Sequence, residues 1–137
     1  GYNRWPYSGY RGQLARAREP ALYRQAKVCP VVNEPTVALL KGQINERIFK
    51  VFGAGGAAVV DAVPAYRELF TSAELDIPGD VTEFAAMAQA LLAEPERRHA
   101  VATRGRTAVL ARHTYIHRAR EVLAGLGIGL RKRWVSP

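Results

Sequence analysis

Two short apolar runs, Val28-Cys29-Pro30-Val31-Val32 and Ala57-Ala58-Val59-Val60, constrain the fold most tightly. The second has no polar alternation and is built of small and β-branched residues, the mark of a strand covered on both faces. Between the runs lies a segment of helical period, with Ile44, Ile48, Val51 and Phe52 recurring on one face. Strand, helix, strand in that order calls for a crossover connection and hence parallel pairing. The expected fold class is therefore α/β, a parallel sheet with helices on its faces and a helical C-terminal end.

The local signals fill in the remaining elements. Residues 1–12 mix aromatics with Gly, Pro and Ser and read as a strand end followed by a loop. Glu19-Pro20 opens a helix running to about Lys27, with proline at a first-turn position where its missing N–H costs nothing. Pro30 confines the first strand to an edge or a bulge. A single helix is expected over residues 37–52, ended by Gly53-Ala54-Gly55-Gly56. Pro64 starts a short helix through Phe70, and residues 74–77 suggest a brief strand. Asp80 with Glu83 makes a capping box, ahead of Phe84, Met87, Ala88, Leu91 and Leu92 on one face. Pro95 opens the next helix, with Val101, Gly105, Ala108 and Val109 on its apolar side. Thr114 caps a third, which carries Tyr115, Ala119, Val122 and Leu123 at the same spacing.

At 137 residues the chain is expected to form one domain over residues 1–130, followed by a basic tail over 131–137. Hydrophobic residues at 48% and charged residues at 23% are ordinary globular values. A single cysteine, Cys29, allows no internal disulfide, and the start lacks the layout of a secretory signal, so a cytoplasmic location is expected. The net charge of +8 favours anionic ligands. Arginines crowd both ends of the sequence, while residues 61–96 are acidic. Membrane-surface binding is compatible with such a chain, although no helical pattern is strongly interfacial.

Several motifs point to less chemistry than they suggest. Gly53-Ala54-Gly55 ends a helix and precedes a strand, the reverse of the order a dinucleotide fingerprint needs. His113 and His117 share i, i+4 spacing but lack a third ligand, so no metal site is expected. Cys29, inside an apolar strand, reads as a core residue. Tyr2, Trp5, Tyr7 and Tyr10 lie among Arg4 and Arg11, a mixture suited to packing or to stacking a base.

One ordered set of residues resembles a known family. Asn45-Glu46-Arg47-Ile48-Phe49-Lys50 is followed by Val51-Phe52-Gly53-Ala54-Gly55-Gly56, by Ala57 to Asp61, and by Val63-Pro64 with Glu68-Leu69-Phe70. Upstream stand Leu22-Tyr23-Arg24-Gln25-Ala26-Lys27-Val28. Downstream come Asp80, Pro95-Glu96-Arg97 and His113-Thr114-Tyr115-Ile116-His117-Arg118. This set resembles the C-terminal, nucleotide-sugar-binding domain of GT-B-type glycosyltransferases, in particular the spore-maturation-protein-like group within the group 1 glycosyl transferases. Members carry an Asn-x-Arg-x-Phe-Glu helix, a small-residue Gly-Gly turn, a buried strand ending in Asp, and a Pro-led helix containing Glu-Leu-Phe.

The resemblance implies a Rossmann-like GT-B fold, incomplete on its N-terminal side, and a transferase acting as part of a larger or split enzyme. The chain alone is then expected to be inactive. It implies a nucleoside-diphosphate sugar as substrate, no cofactor and no metal. The acceptor is left open between glycan, lipid-linked and protein, and an N-terminal acceptor domain or partner subunit is expected. The diphosphate would lie where a glycine-preceded helix end offers N–H groups. Lys41, Gly42, Gln43, Asn45, Arg47 and Lys50 are the candidate donor-binding residues, and no catalytic residue is assigned. Lys50 departs from the family pattern, which places there a glutamate for the donor ribose, and an ammonium accepts no hydrogen bond. That departure keeps a second reading open, a non-catalytic scaffold or subunit. A basic nucleic-acid-binding module is a third, with charge in its favour but no recognition motif.

Overall fold

The computed structural model describes residues 12–39 and 42–128. The expected strand end before Gly12, the basic tail and Lys41 lie outside the described residues. In chain order the elements are a 3-10 turn Arg16–Arg18, α1 Glu19–Gln25, β1 Cys29–Val31, a 3-10 turn Pro35–Leu39, α2 Arg47–Ala54, β2 Ala58–Val60, α3 Tyr66–Leu69, α4 Val81–Ala93, α5 Pro95–Arg112 and α6 Tyr115–Gly125. β1 and β2 form a two-stranded parallel sheet in the register Cys29 to Ala58 and Val31 to Val60. The fold is thus α/β with a small parallel sheet under a largely helical body.

Pro30 sits inside β1 without cost. Cys29 donates to Ala57 O and Val31 O accepts from Asp61, so residues 29 and 31 face β2. Alternation turns the backbone of Pro30 to the opposite edge, where its missing N–H forfeits no bond to β2. All three β2 residues are buried, as their unbroken apolar run requires. The core joins Val31, Val59 and Val60 of the sheet to Ile48, Val51 and Phe52 of α2, Tyr66 of α3, Leu91 of α4 and Val101, Ala108 and Val109 of α5.

α5 approaches α2 at Gly105. A methyl group there would overlap the Phe52 ring, reaching within 2.5 Å of its Cγ. Gly105 is thus the gap through which two helices come together over a fully buried ring. α2 ends at Gly55 with φ of 84°, the left-handed cap expected of the glycine cluster. Arg106 and Arg24 bond the terminal carbonyls of Gly53 and Ala54 at 2.9 and 3.3 Å, holding α5 and α1 to that helix end.

Two expected elements differ. The single helix over residues 37–52 is instead a 3-10 turn and a separate α2, divided by a loop. Gly42 adopts φ of 81°, and the Asn45 side chain accepts from the Arg47 N–H at 2.9 Å, closing a local turn that competes with helix continuation. The strand expected over residues 74–77 is absent among the described residues. Glu74 and Leu75 donate back to Thr71 O at 3.0 and 3.1 Å, so the chain turns there while Leu75 remains in the core.

Candidate functional site

Parallel strands deliver their C-terminal ends, and the loops that follow them, to one edge of the sheet. At that edge Asn33 follows β1 and Asp61 follows β2. The Asn33 backbone N–H donates to Asp61 Oδ2 at 2.8 Å, and its Nδ2 donates to Asp61 Oδ1 at 2.7 Å. The same Nδ2 reaches the Tyr66 hydroxyl oxygen at 3.0 Å. Asn33 Oδ1 accepts the Asn45 N–H at 2.7 Å. One buried amide therefore ties both strand ends to the start of α2 and to α3. Burial pushes the Tyr66 hydroxyl up to about 12, so it stays a neutral partner of Asn33.

The candidate donor-binding residues divide into those used by the scaffold and those left on the surface. Gly42 and Gln43 are exposed in the loop before α2. Asn45 is committed to structure: its backbone N–H is held by Asn33 and its Oδ1 by Arg47 N, with Asn45 O accepting from Ile48 at 3.4 Å. The first amides of α2 are accordingly satisfied from within the chain, and the glycine-preceded helix end does not present them free. Arg47 is exposed in the first turn and has no ion-pair partner among the described residues. Lys50 lies one turn on and pairs with Glu46 at 2.6 Å. That bond holds the Glu46 carboxyl below and the Lys50 ammonium above their usual ranges. Exposed as it is, the pair contributes little to stability.

Lys50 also borders a groove of about 750 Å³ between α1, α2 and the junction of α5 with α6. Tyr23, Phe49, Lys50, Arg106, His113 and Tyr115 are among its walls. The Tyr23 hydroxyl donates to Glu19 at 2.7 Å and is pushed up to about 12, first by burial and then by that bond, with Arg47 pulling the other way. Lys50 therefore lies on the side of α2 that faces α1, and Arg47 is near enough to act on Tyr23. Cys29 lies in the core beneath, its thiol pushed up by burial and 3.7 Å from Tyr23 O. His117 bonds the Thr114 N–H at 3.3 Å, completing the start of α6.

His113 closes the groove's inner end. Its Nε2 is 3.0 Å from Leu69 O and its Nδ1 is 2.7 Å from an Arg118 nitrogen, so the neutral ring donates to the carbonyl and accepts from the guanidinium. It also packs against Phe49 and Phe70 with centroid distances of 5.5 and 5.1 Å. Burial lowers its affinity for a proton; the Leu69 carbonyl and Glu74 oppose this, and Arg118 and Arg112 reinforce it. A pKa lower in the folded state than in the unfolded chain means the unfolded chain takes up the proton first. The stability His113 provides is complete above about pH 6.5 and falls as the pH drops below it. A melting-temperature profile should decline as the pH falls below about 6.5, starting before carboxylates protonate in quantity. His113→Gln, which keeps a donor and an acceptor but does not titrate, should flatten that part of the profile; an unchanged decline would place its origin elsewhere.

The strand-end network itself centres on two residues that were not candidates, Asn33 and Tyr66. Asn33 was legible in part, since polar residues placed just after the strands of a parallel sheet fall at the edge where such sheets build sites, whereas Tyr66 reaches that edge from α3. No curated protein and no solved structure matches the chain significantly. A family model described as glycosyl transferase-like matches residues 1–124, and so covers the strand-end network, α2 with Arg47 and Lys50, and the groove on its α1 side. With nine-tenths of its length inside that match, the chain belongs to the glycosyl transferase-like family.

Proposed function

We propose that this chain is the donor-binding portion of a GT-B-type glycosyltransferase, holding a nucleoside-diphosphate sugar at the strand-end edge. The observation that carries the reading is the arrangement around Asn33. A buried, fully bonded amide fixes the first turn of α2, and that turn presents Arg47 as a cation with no acidic partner among the described residues. A positioned guanidinium is well suited to a diphosphate, whose charge grows as the sugar departs. Lys50, one turn away, gives the site a second cation where relatives with this pattern carry a carboxylate. Its pairing with Glu46 supplies a carboxylate one turn earlier, which supports a ribose contact routed through Glu46 rather than through residue 50. Sugar transfer then needs no metal or cofactor from this part of the chain, and the acceptor comes from elsewhere in the enzyme.

The test is calorimetric titration of the full-length protein with uridine and guanosine diphosphates. Ligand at about 100 times its dissociation constant should raise stability by about 2.7 kcal/mol, visible as a shift in melting temperature. Arg47→Met should weaken binding by roughly tenfold or more, the loss expected for one charge-assisted contact. The same change should leave the ligand-free melting temperature nearly unaltered, because Arg47 is exposed and has no ion-pair partner among the described residues. No binding by the wild-type protein at millimolar nucleotide would favour the scaffold reading instead.

A further inference from the structure

The groove beside α2 has the size of a small-molecule site, about 750 Å³, and its open surface is mostly apolar, with Phe49, Val109 and Leu110 among its walls. Five cations face two carboxylates along it, but part of that charge is already neutralised. Lys50 pairs with Glu46, and Arg118 with Glu121. Arg16, Arg24 and Arg106 remain, with no ion-pair partner among the described residues. Against them stands Glu19 alone, whose carboxylate accepts from Tyr23. Arg24 of α1 and Arg106 of α5 meet at the end of α2, because each donates one N–H to it, at the neighbouring carbonyls of Ala54 and Gly53. Their other nitrogens have no partner among the described residues. Two guanidiniums held on consecutive residues repel each other, and an anion between them turns that repulsion into attraction.

What the groove lacks selects its ligand as much as what it offers. The Tyr23 hydroxyl is spent on Glu19, and both His113 nitrogens are taken, by Leu69 O and by Arg118. Thr114 Oγ1 lies 2.7 Å from His117 Nδ1, and the Tyr115 hydroxyl bonds Glu46. The Gly53 and Ala54 carbonyls are the ones the arginines cap. The hydroxyls or base edges of a polar ligand would find no free group here to read them, and a polar group left unpaired is costly. We infer that the groove binds an amphiphilic phosphate, the phosphate monoester of a hydrocarbon chain. Arg24 and Arg106 hold the phosphate, and the chain lies along Phe49, Val109 and Leu110. A guanidinium fork matches phosphate oxygens, and a dianion suits two such forks. A nucleotide would satisfy the arginines but leave its sugar and base unread. The phosphate end lies about 10 Å from Arg47, the length of α2 from residue 47 to residue 54 at about 1.5 Å per residue. The inference therefore does not rest on the donor reading.

The experiment is calorimetric titration of the full-length protein with octyl phosphate below its micellar concentration, with inorganic phosphate, octyl glucoside and octanoate as comparisons. Octyl phosphate is expected to bind at least about tenfold tighter than any of the three, and to weaken with added salt. Decyl phosphate should bind roughly tenfold tighter again, because two further methylenes leave water. Arg106→Gln keeps an N–H for Gly53 O while removing the charge, and should weaken octyl phosphate roughly tenfold. Leu110→Gln, at a half-exposed position that caps nothing, should weaken it several-fold and leave the fold intact. Absence of binding at millimolar octyl phosphate overturns the inference, as does an affinity that ignores chain length or both substitutions. Equal binding of octyl glucoside shows the arginines to be helix caps and nothing more, which overturns it too. Displacement of octyl phosphate by uridine diphosphate assigns the groove to the nucleotide, with the same consequence. Nucleotide titration of the Arg47→Met protein reads the strand-end site separately, so either reading can fail alone.

Discussion

Gly105→Ala is expected to lower the melting temperature by roughly 7 °C, corresponding to about 2 kcal/mol for a domain of this size. The sign is not obvious from the substitution itself. In an exposed helix interior, alanine in place of glycine stabilises by up to about 1 kcal/mol. At Gly105 the added methyl would overlap three atoms of the Phe52 ring. That ring has no room to withdraw, being fully buried and packed edge-on against Phe70 at 6.1 Å. Relief must come from parting α5 and α2, which also loosens Val101, Ala108 and Val109 from the core. The steric origin has its own signature. Phe52→Leu in the wild-type background opens a cavity and destabilises, whereas in the alanine background it removes the clash and should cost much less. Thermal melts of the four proteins in this cycle decide the matter, and a stabilised Gly105→Ala protein would mean the helices are not in contact there.

The same glycine shows what the sequence reveals and where it stops. The spacing of Val101, Gly105, Ala108 and Val109 places Gly105 on the apolar face of α5, because helical periodicity is a local property. Which ring fills the gap is a long-range fact, and nothing in the spacing selects Phe52. Caps and breakers were legible for the same local reason. Asp80 accepts the Glu83 N–H at 2.8 Å, Gly55 takes the left-handed cap, and Pro95 opens α5. The division of residues 37–52 was not legible, because apolar periodicity continues across the loop while Gly42 and the Asn45 turn interrupt the backbone. α6 was legible as a helix, and its apolar residues Tyr115, Ile116 and Val122 lie exposed. Periodicity identifies an apolar face but carries no information on what that face meets.

The candidate site was legible in its cations and not in its framework. Arg47 and Lys50 stand on the same side of α2 because they are three residues apart on a helix. That Asn45 is consumed by the scaffold follows only from the partner it finds across twelve residues, the Asn33 carbonyl oxygen at 2.7 Å. The expectation of free amides at the start of α2 failed for the same reason. A helix end offers donors only if nothing nearer accepts them, and here Asn45 does so within two residues.

Asn33→Asp should convert that framework into one whose stability depends steeply on pH. The substitution is nearly isosteric, and one new carboxylate oxygen still accepts the Asn45 N–H. The other replaces the Nδ2 that lies 2.7 Å from Asp61 Oδ1. Two carboxylates at that distance in a buried setting cannot both ionise, so one is held protonated with its pKa raised well above the usual carboxylate range. A carboxyl whose folded value exceeds its unfolded value of about 3.9 contributes fully below the latter. Its contribution is lost as the pH rises toward the folded value, at up to about 1.4 kcal/mol per pH unit. At pH 7 the variant should therefore be destabilised by about 3 kcal/mol relative to wild type, in the range found when a buried charge loses its compensation. Near pH 4 most of that difference should disappear, because a shared proton restores the bond between the two side chains. Subtracting the wild-type profile removes the contributions of His113 and Glu74, which titrate in both proteins. Asn33→Ala provides the contrast, since it deletes the side-chain bonds to Asp61, Tyr66 and Asn45 without adding a charge, so its penalty should be similar at both pH values. A pH-independent penalty for Asn33→Asp would show that residues 33 and 61 do not meet, and with them would go the fixed first turn on which Arg47 is presented.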